Sequence, residues 1–143
     1  MCLSKNLWEK NHDLALESLK TAFIKGIKEG NLPKKNFQAY IAQDYFFLIC
    51  FTRAYGSAIS KCFNTSSIKI LSKLLYGVSE ELELHDKYAK KLSIDLNKHP
   101  INPATKKYTD FLDETSKALS CFEICVAMVP CMRLYSWIGK NLS

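Results

Sequence analysis

Residues 34–62 read KKNFQAYIAQDYFFLICFTRAYGSAISKC, and this stretch decides the fold. Its apolar and aromatic side chains recur every three or four residues, which is the period of an α-helix and not of a strand. They cover almost every side of the predicted helix, so we expect this helix to lie at the centre of the molecule. The residues that carry this surface include Tyr40, Phe47, Leu48, Phe51 and Tyr55.

The segments on either side of this stretch have the same helical period. A first helix is predicted from about Leu7 to Lys28 and ends at Gly30, because glycine commonly terminates a helix. Its expected inward residues are Leu14, Leu16, Leu19, Phe23 and Ile27.

Three further helices are predicted after the central one. The third begins at a cap formed by Ser66 or Ser67 and runs to about Ser93. Asn102-Pro103 is typical of a cap followed by proline at the first helical position, and a fifth helix begins near Ser120. The sequence therefore predicts an all-α helical bundle, with residues 1–143 forming a single domain.

The composition limits the class of protein. The chain has 143 residues, of which 48% are hydrophobic and 24% charged, as expected for one folded domain. The net charge of +6 is spread over scattered lysine pairs, and no run of five or six basic residues occurs. We expect a solvated basic surface and no nucleic-acid partner.

Six cysteines in a short chain raise the alternative of a disulfide scaffold. That alternative needs an export signal and a loop-rich sequence, and we find neither. The longest apolar run, Tyr45 to Phe51, is much shorter than the roughly 20 residues of a membrane span. We therefore expect a reduced, cytoplasmic protein with no membrane contact, in which most cysteines pack as small hydrophobic residues.

Asp44 is anomalous because its helical neighbours are Tyr40, Phe47, Leu48 and Phe51. A buried, unpaired carboxylate costs several kcal/mol, so the group needs a partner, a proton or a polar ligand. Two interpretations remain open. Asp44 is either hydrogen bonded to a tyrosine or a helix end, or it belongs to a functional site.

Cys131 follows Pro130 inside an otherwise continuous apolar helix. Proline removes a helix hydrogen bond and bends the axis. If the helix restarts near Val129, its N-terminal amides would lower the pKa of the Cys131 thiol and make it a nucleophile. Tyr135 lies one turn further along the same face. The alternative is that Cys131 is an ordinary core residue.

The remaining polar candidates have ordinary structural explanations. Ser120 and Glu123 have the spacing of a capping box. Glu81 and His85, four residues apart, favour a helix pair or a buried hydrogen bond over a metal site, and His12 is a lone histidine. We expect no metal and no cofactor.

Several motifs occur in chain order, namely Gly30-Asn31-Leu32-Pro33, Phe37, Tyr40, Gln43-Asp44-Tyr45, Phe51, Glu81 with His85, Tyr108-Thr109, Pro130-Cys131-Met132-Arg133-Leu134-Tyr135 and Gly139-Lys140. Together they resemble the TenA family of thiaminase II and aminopyrimidine aminohydrolase. The resemblance implies a haem-oxygenase-like helical fold, assembly as a homotetramer or dimer, and a role in thiamine salvage. It does not imply haem binding.

The resemblance also implies roles for individual residues. It makes Cys131 the nucleophile and Asp44 the carboxylate that holds the edge of a pyrimidine substrate, with Tyr108 and Tyr135 around the ring and the thiol. Phe47 stands where many members have a tyrosine. The implied reaction hydrolyses 4-amino-5-aminomethyl-2-methylpyrimidine to the hydroxymethylpyrimidine and ammonia.

The family pattern extends beyond the position of Ser143, into helices that carry a glutamate acting as proton donor. We therefore expect an incomplete C-terminal end, with apolar faces that need a partner or oligomerisation to cover them. Two alternatives to the enzyme stay open. One is a non-catalytic helical module for pyrimidine binding or assembly, and the other is a metal or haem protein that uses His12 or Glu81 and His85.

Overall fold

The computed structural model describes residues 3–142, apart from the side chain of Asn97. Within that range the chain forms seven α-helices and one short 3₁₀ helix, with no β-strand, so the predicted all-α class is confirmed. The termini of the predicted domain, Met1, Cys2 and Ser143, lie outside the described residues. The helices are α1 Leu3–Lys10, α2 His12–Leu19, α3 Ala22–Lys28, α4 Lys34–Ser60, α5 Thr65–Leu92, α6 Pro103–Ala118 and α7 Cys121–Leu142, and the 3₁₀ helix is Leu96–Lys98.

The predicted first helix, Leu7 to Lys28, is wrong, because the structure has three short helices there. The chain breaks at Asn11 and again before Thr21, whose hydroxyl accepts a hydrogen bond from the Ile24 amide and caps α3. Each break resets the helical phase. As a result Leu14, predicted to face inward, is 70% exposed, and Ala15 is buried in its place.

The predicted end of this segment is confirmed. Gly30 has φ +69°, in the left-handed region that favours glycine, and its amide hydrogen bonds to the Ile27 carbonyl after the last turn of α3. Gly26 has a second reason to be glycine. A Cβ atom there would lie 3.1 Å from Leu32, so a side chain would disturb the close packing of this turn.

The helix predicted over residues 34–62 is confirmed, and α4 ends at Ser60, two residues before the predicted end. Eight of its residues are buried, more than in any other described helix. Helix α5 begins earlier than predicted, since the Asn64 side chain, and not Ser66 or Ser67, accepts the capping hydrogen bond from the Ser67 amide at 2.7 Å. It ends at Leu92, before Ser93 in left-handed conformation.

The predicted starts of the last two helices are confirmed. The Asn102 side chain accepts from the Thr105 amide at 2.8 Å, and Pro103 is the first residue of α6. At the start of α7 the Glu123 carboxylate accepts from both the amide and the hydroxyl of Ser120. Helix α7 runs without interruption through Pro130, so it does not restart near Val129 and gives Cys131 no helix N-terminus.

Helix α7 is also long and apolar enough to cross a membrane, with a mean hydropathy of 1.4. This property was not predicted, because charged residues such as Glu123 and Arg133 interrupt the apolar run of the helix. An apolar helix of a bundle meets the same criterion, so the helix alone assigns no membrane contact.

The chain divides into two compact units. The first comprises Met1–Phe37 and Cys131–Ser143, and the second comprises Gln38–Pro130. In the first unit, α1 and α7 meet where the Trp8 and Trp137 rings pack edge to face at 5.8 Å and the Arg133 guanidinium lies over Trp8. The expected single domain stays a prediction.

In the second unit α4 is held against α5 and α6. Its hydroxyl and thiol side chains donate to backbone carbonyls of α6, as Ser57 does to Ser116 at 2.8 Å and Cys50 does to Thr109 at 3.4 Å. The buried hydrophobic core of this unit includes Ile41, Leu48, Phe51, Tyr55, Leu71, Val78, Leu112, Ile124 and Met128.

Candidate functional site

Asp44 is buried inside the second unit and is 8% exposed, as predicted for a carboxylate on the core side of α4. Its oxygen Oδ2 lies 2.8 Å from Nε2 of His85 on α5. The same oxygen accepts a hydrogen bond from the Tyr40 hydroxyl, one turn earlier on α4, at 3.3 Å. The predicted tyrosine partner is therefore present, and the histidine is a partner that the sequence analysis missed.

His85 is 5% exposed, and both of its ring nitrogens face oxygen atoms. Nδ1 lies 2.9 Å from the backbone carbonyl of Glu81. A carbonyl oxygen can only accept a hydrogen bond, so Nδ1 carries a proton. The predicted buried hydrogen bond of the Glu81 and His85 pair is confirmed in this form.

Two pKa values in this cluster are raised, that of His85 mainly by a hydrogen bond and that of Glu81 mainly by burial. The hydrogen bond to Asp44 raises the pKa of His85 above its usual value, against the opposing effect of burial. Although Glu81 lies at the surface, loss of water around its carboxyl and the nearby Asp44 charge raise the pKa of Glu81. Asp44 of α4 thus lies close to His85 and Glu81 of α5.

Aromatic side chains follow Asp44 along helix α4 and contact an aromatic residue of α6. The ring of Phe47, three residues after Asp44, stacks on Tyr108 of α6 with a centroid distance of 5.6 Å and an interplanar angle of 10°. Phe47 also contacts Phe51 at 4.8 Å. The Tyr108 hydroxyl donates to the Ala127 carbonyl of α7 at 3.1 Å. Flat aromatic faces and a carboxylate are the groups that bind a planar heterocycle with amino substituents.

The structure thus brings three of the five predicted site residues, Asp44, Phe47 and Tyr108, into one unit. Cys131 and Tyr135 belong to the other unit and lie one turn apart on α7. Cys131 is half-buried, and Tyr135 is 52% exposed. Their approach to Asp44 stays a prediction.

A second feature of the Gln38–Pro130 unit was not predicted. Cys62, Cys121 and Cys125 line a cavity of about 460 Å³ together with the exposed rings of Phe63 and Phe122. The hydrogen bond with Cys121 raises the pKa of Cys62, and burial raises that of Cys125, so both thiols favour the protonated form. Within residues 3–142 no group of three acidic, histidine or cysteine side chains is arranged to hold a metal ion.

The fold and the site define an all-helical protein with a buried, histidine-paired carboxylate next to stacked aromatic rings. The TENA/THI-4/PQQC family model matches residues 10–143. This chain therefore belongs to that family, and the resemblance noted from its motifs is confirmed.

Similar proteins agree with this assignment. The aminopyrimidine aminohydrolase of Halalkalibacterium halodurans is 31% identical over 146 residues, which cover 99% of this chain and 65% of that protein. The mitochondrial bifunctional TH2 protein of Arabidopsis thaliana is 35% identical over 97% of this chain and 26% of its own length. The chain thus spans less than two thirds of the length of these two relatives.

Solved structures show the same fold. A TenA family transcription regulator from Silicibacter matches with a TM-score of 0.84 and 29% identity, over 96% of this chain and 63% of the other. A TenA homologue from Pyrococcus horikoshii matches with a TM-score of 0.89 and 23% identity, over 99% of this chain and 68% of the other. The predicted TenA-type fold is confirmed.

Proposed function

We propose that this chain is the pyrimidine-binding part of a thiamine-salvage hydrolase that deaminates 4-amino-5-aminomethyl-2-methylpyrimidine to the hydroxymethylpyrimidine. The observation that carries the proposal is the buried Asp44 carboxylate, one turn before the Phe47 ring that stacks on Tyr108. Family membership and the aminopyrimidine aminohydrolases among the relatives support the substrate class.

In this proposal each site residue has one role. Asp44 accepts hydrogen bonds from the amino-substituted edge of the ring, while Phe47, Tyr108 and Tyr135 enclose its faces. The Cys131 thiolate adds to a ring carbon, and the electron pair moves onto the ring nitrogens. Ammonia then leaves from the aminomethyl carbon with a proton, water replaces it, and the thiolate is expelled again. The net reaction consumes one water and releases one ammonia.

A second candidate is a module that binds the pyrimidine or serves assembly without turnover. It is favoured by the chemistry of the Gln38–Pro130 unit alone, which offers a carboxylate and aromatic rings, while the pKa values of its Cys50, Cys62 and Cys125 thiols are raised. For either candidate we further propose that the protein is cytoplasmic and forms a homo-oligomer, either a dimer or a tetramer. Sedimentation of the purified chain measures this oligomeric state.

Ammonia release from the aminomethylpyrimidine tests the proposal. We expect the wild-type chain to release ammonia. In Cys131→Ser the rate of release should fall at least a hundredfold, because serine is a far weaker nucleophile. The matched control Cys62→Ser should change the rate little. The far-ultraviolet circular dichroism of all three proteins checks that the helices persist. Release unchanged in Cys131→Ser would refute the nucleophile, and binding without release in the wild type would favour the second candidate.

A further inference from the structure

The pairing of His85 with Asp44 has a consequence for the proton between them. The backbone carbonyl of Glu81 fixes one proton on Nδ1, so a neutral His85 would present the lone pair of Nε2 to Asp44. At 2.8 Å two lone pairs repel each other. Nε2 makes no hydrogen bond of good geometry among residues 3–142, and Oδ2 lies 2.8 Å from it in ion-pair contact, so a proton between these two atoms is what would satisfy it.

Two arrangements of this shared proton are possible. Either an imidazolium is paired with a carboxylate, or a neutral imidazole is paired with a protonated carboxyl. The surroundings favour the charged pair. Tyr40 donates a second hydrogen bond to the same Oδ2, which stabilises a carboxylate more than a carboxylic acid. The Glu81 carbonyl accepts from Nδ1 and stabilises an imidazolium, and the Glu81 carboxyl adds a negative charge nearby.

The pair also determines which oxygen of Asp44 is available. Both recorded contacts, those of His85 and Tyr40, fall on Oδ2. A carboxylate has two oxygens with two lone pairs each, so contacts that hold Oδ2 fix the plane of the group and the direction of Oδ1. Oδ1 is then the acceptor for a ligand's N–H groups.

We propose that His85 is a positioning residue that carries a proton on each ring nitrogen and clamps Asp44 as an oriented carboxylate, with Oδ1 directed to the amino-substituted edge of a neutral or cationic pyrimidine. The assignment of a ligand to Oδ1 rests on the proposed function. The assignment of the proton rests only on the contacts among Asp44, His85, Tyr40 and Glu81. Among the described residues, the charged groups that act on His85 are Asp44 of α4 and Glu81 of α5, and the Tyr40 hydroxyl of α4 contacts Asp44.

Nitrogen NMR of the protein with ¹⁵N-labelled histidine tests the protonation state without any ligand. The chain has only three histidines, His12, His85 and His99, so the single variants His12→Gln and His99→Gln assign the signals. We expect His85 to titrate at a higher pH than an ordinary histidine, and Asp44→Asn to reverse that shift. A His85 that is neutral at pH 6.5 would overturn the inference.

Binding of the aminomethylpyrimidine, followed by calorimetry over pH 5.5–9, tests the positioning role. We expect wild-type affinity to fall as pH rises through the raised pKa of His85, because the clamp is then lost. His85→Gln should bind about tenfold more weakly at pH 6.5, as expected for loss of a charge-assisted contact, and should lack the alkaline fall, while His99→Gln keeps both. A purely structural role would lower affinity equally at every pH.

These two measurements separate the inference from the proposed function. If the wild-type chain binds no aminopyrimidine, the proposed function fails and so does the assignment of Oδ1, whereas the NMR titration still decides the proton. If the ligand binds and the pH profile of His85→Gln equals that of the wild type, the positioning role is wrong and the proposed function stands.

Discussion

At the scale of single residues, a buried carboxylate and a buried imidazole link folding to pH. The folded-state pKa of His85 is raised above about 6.5, the value expected in the unfolded chain, so the folded protein holds a proton that the unfolded chain releases. The resulting stability is fully present below pH 6.5. It is lost as pH rises through the folded-state pKa.

We therefore predict that the free energy of unfolding falls between pH 6.5 and the raised pKa of His85. In the double variant Asp44→Asn/His85→Gln, which keeps size and polarity without the charges, this fall should be absent. Urea unfolding at a series of pH values measures it. Glu81 remains in both proteins, and burial, the main cause of its raised pKa, is common to both. An equal fall in both proteins would show that the pair does not carry the effect.

The burial of Asp44 could be predicted from the sequence, but the residue that pairs with it could not. The burial of Asp44 was predictable because the side chains one turn away on α4 are all apolar. Its pairing with His85 was not, since that contact joins residues 41 positions apart on different helices, and helical periodicity gives no information on which faces meet. A buried charge needs a partner, and this need was the signal available in the sequence. His85 lies on the apolar side of α5 and was therefore the candidate partner of Asp44.

At the scale of elements, helix ends depend on side chains from other helices as well as on local caps. Lys61, just after the end of α4, donates to the carbonyls of Ser116 and Leu119 at 2.6 and 2.7 Å, at the C-terminus of α6. A cation there satisfies carbonyls that have no partner within the helix and interacts favourably with the helix dipole.

We predict that Lys61→Met lowers the free energy of unfolding by about 1–2 kcal/mol, through loss of these hydrogen bonds and of the charge. Lys69→Met, at an exposed position of α5, is the matched control and should change it by less than about 0.5 kcal/mol. Urea unfolding at one pH measures both. Equal effects of the two substitutions would rule out the contact with α6.

The caps of α6 and α7 were predictable, whereas the cap of α5 and the breaks in the first helical segment were not. The starts of α6 and α7 follow from Asn102-Pro103 and from the Ser120 and Glu123 spacing, because these signals lie within four residues of sequence. The breaks at Asn11 and Thr21 have no proline or glycine to mark them. Apolar residues on both sides of each break were therefore wrongly assigned to one continuous face.

At the scale of the whole molecule, the all-α class followed from helical periodicity and the family from motifs spread along the chain. The relation between the Asp44 cluster of one unit and Cys131 of the other follows from neither. It depends on how helices from distant parts of the chain approach each other. The motifs bear on that approach only because they resemble those of a known family.

The central claim is that the carboxyl of Asp44 and the thiol of Cys131 meet the same heterocycle. A crystal structure of Cys131→Ser with the aminomethylpyrimidine bound tests it most directly, because that variant binds without turnover. We predict the ring edge at about 3 Å from Asp44 Oδ1 and a ring carbon within about 3.5 Å of the residue 131 hydroxyl. A ligand bound away from Asp44, or with residue 131 out of reach of its ring, would contradict the account.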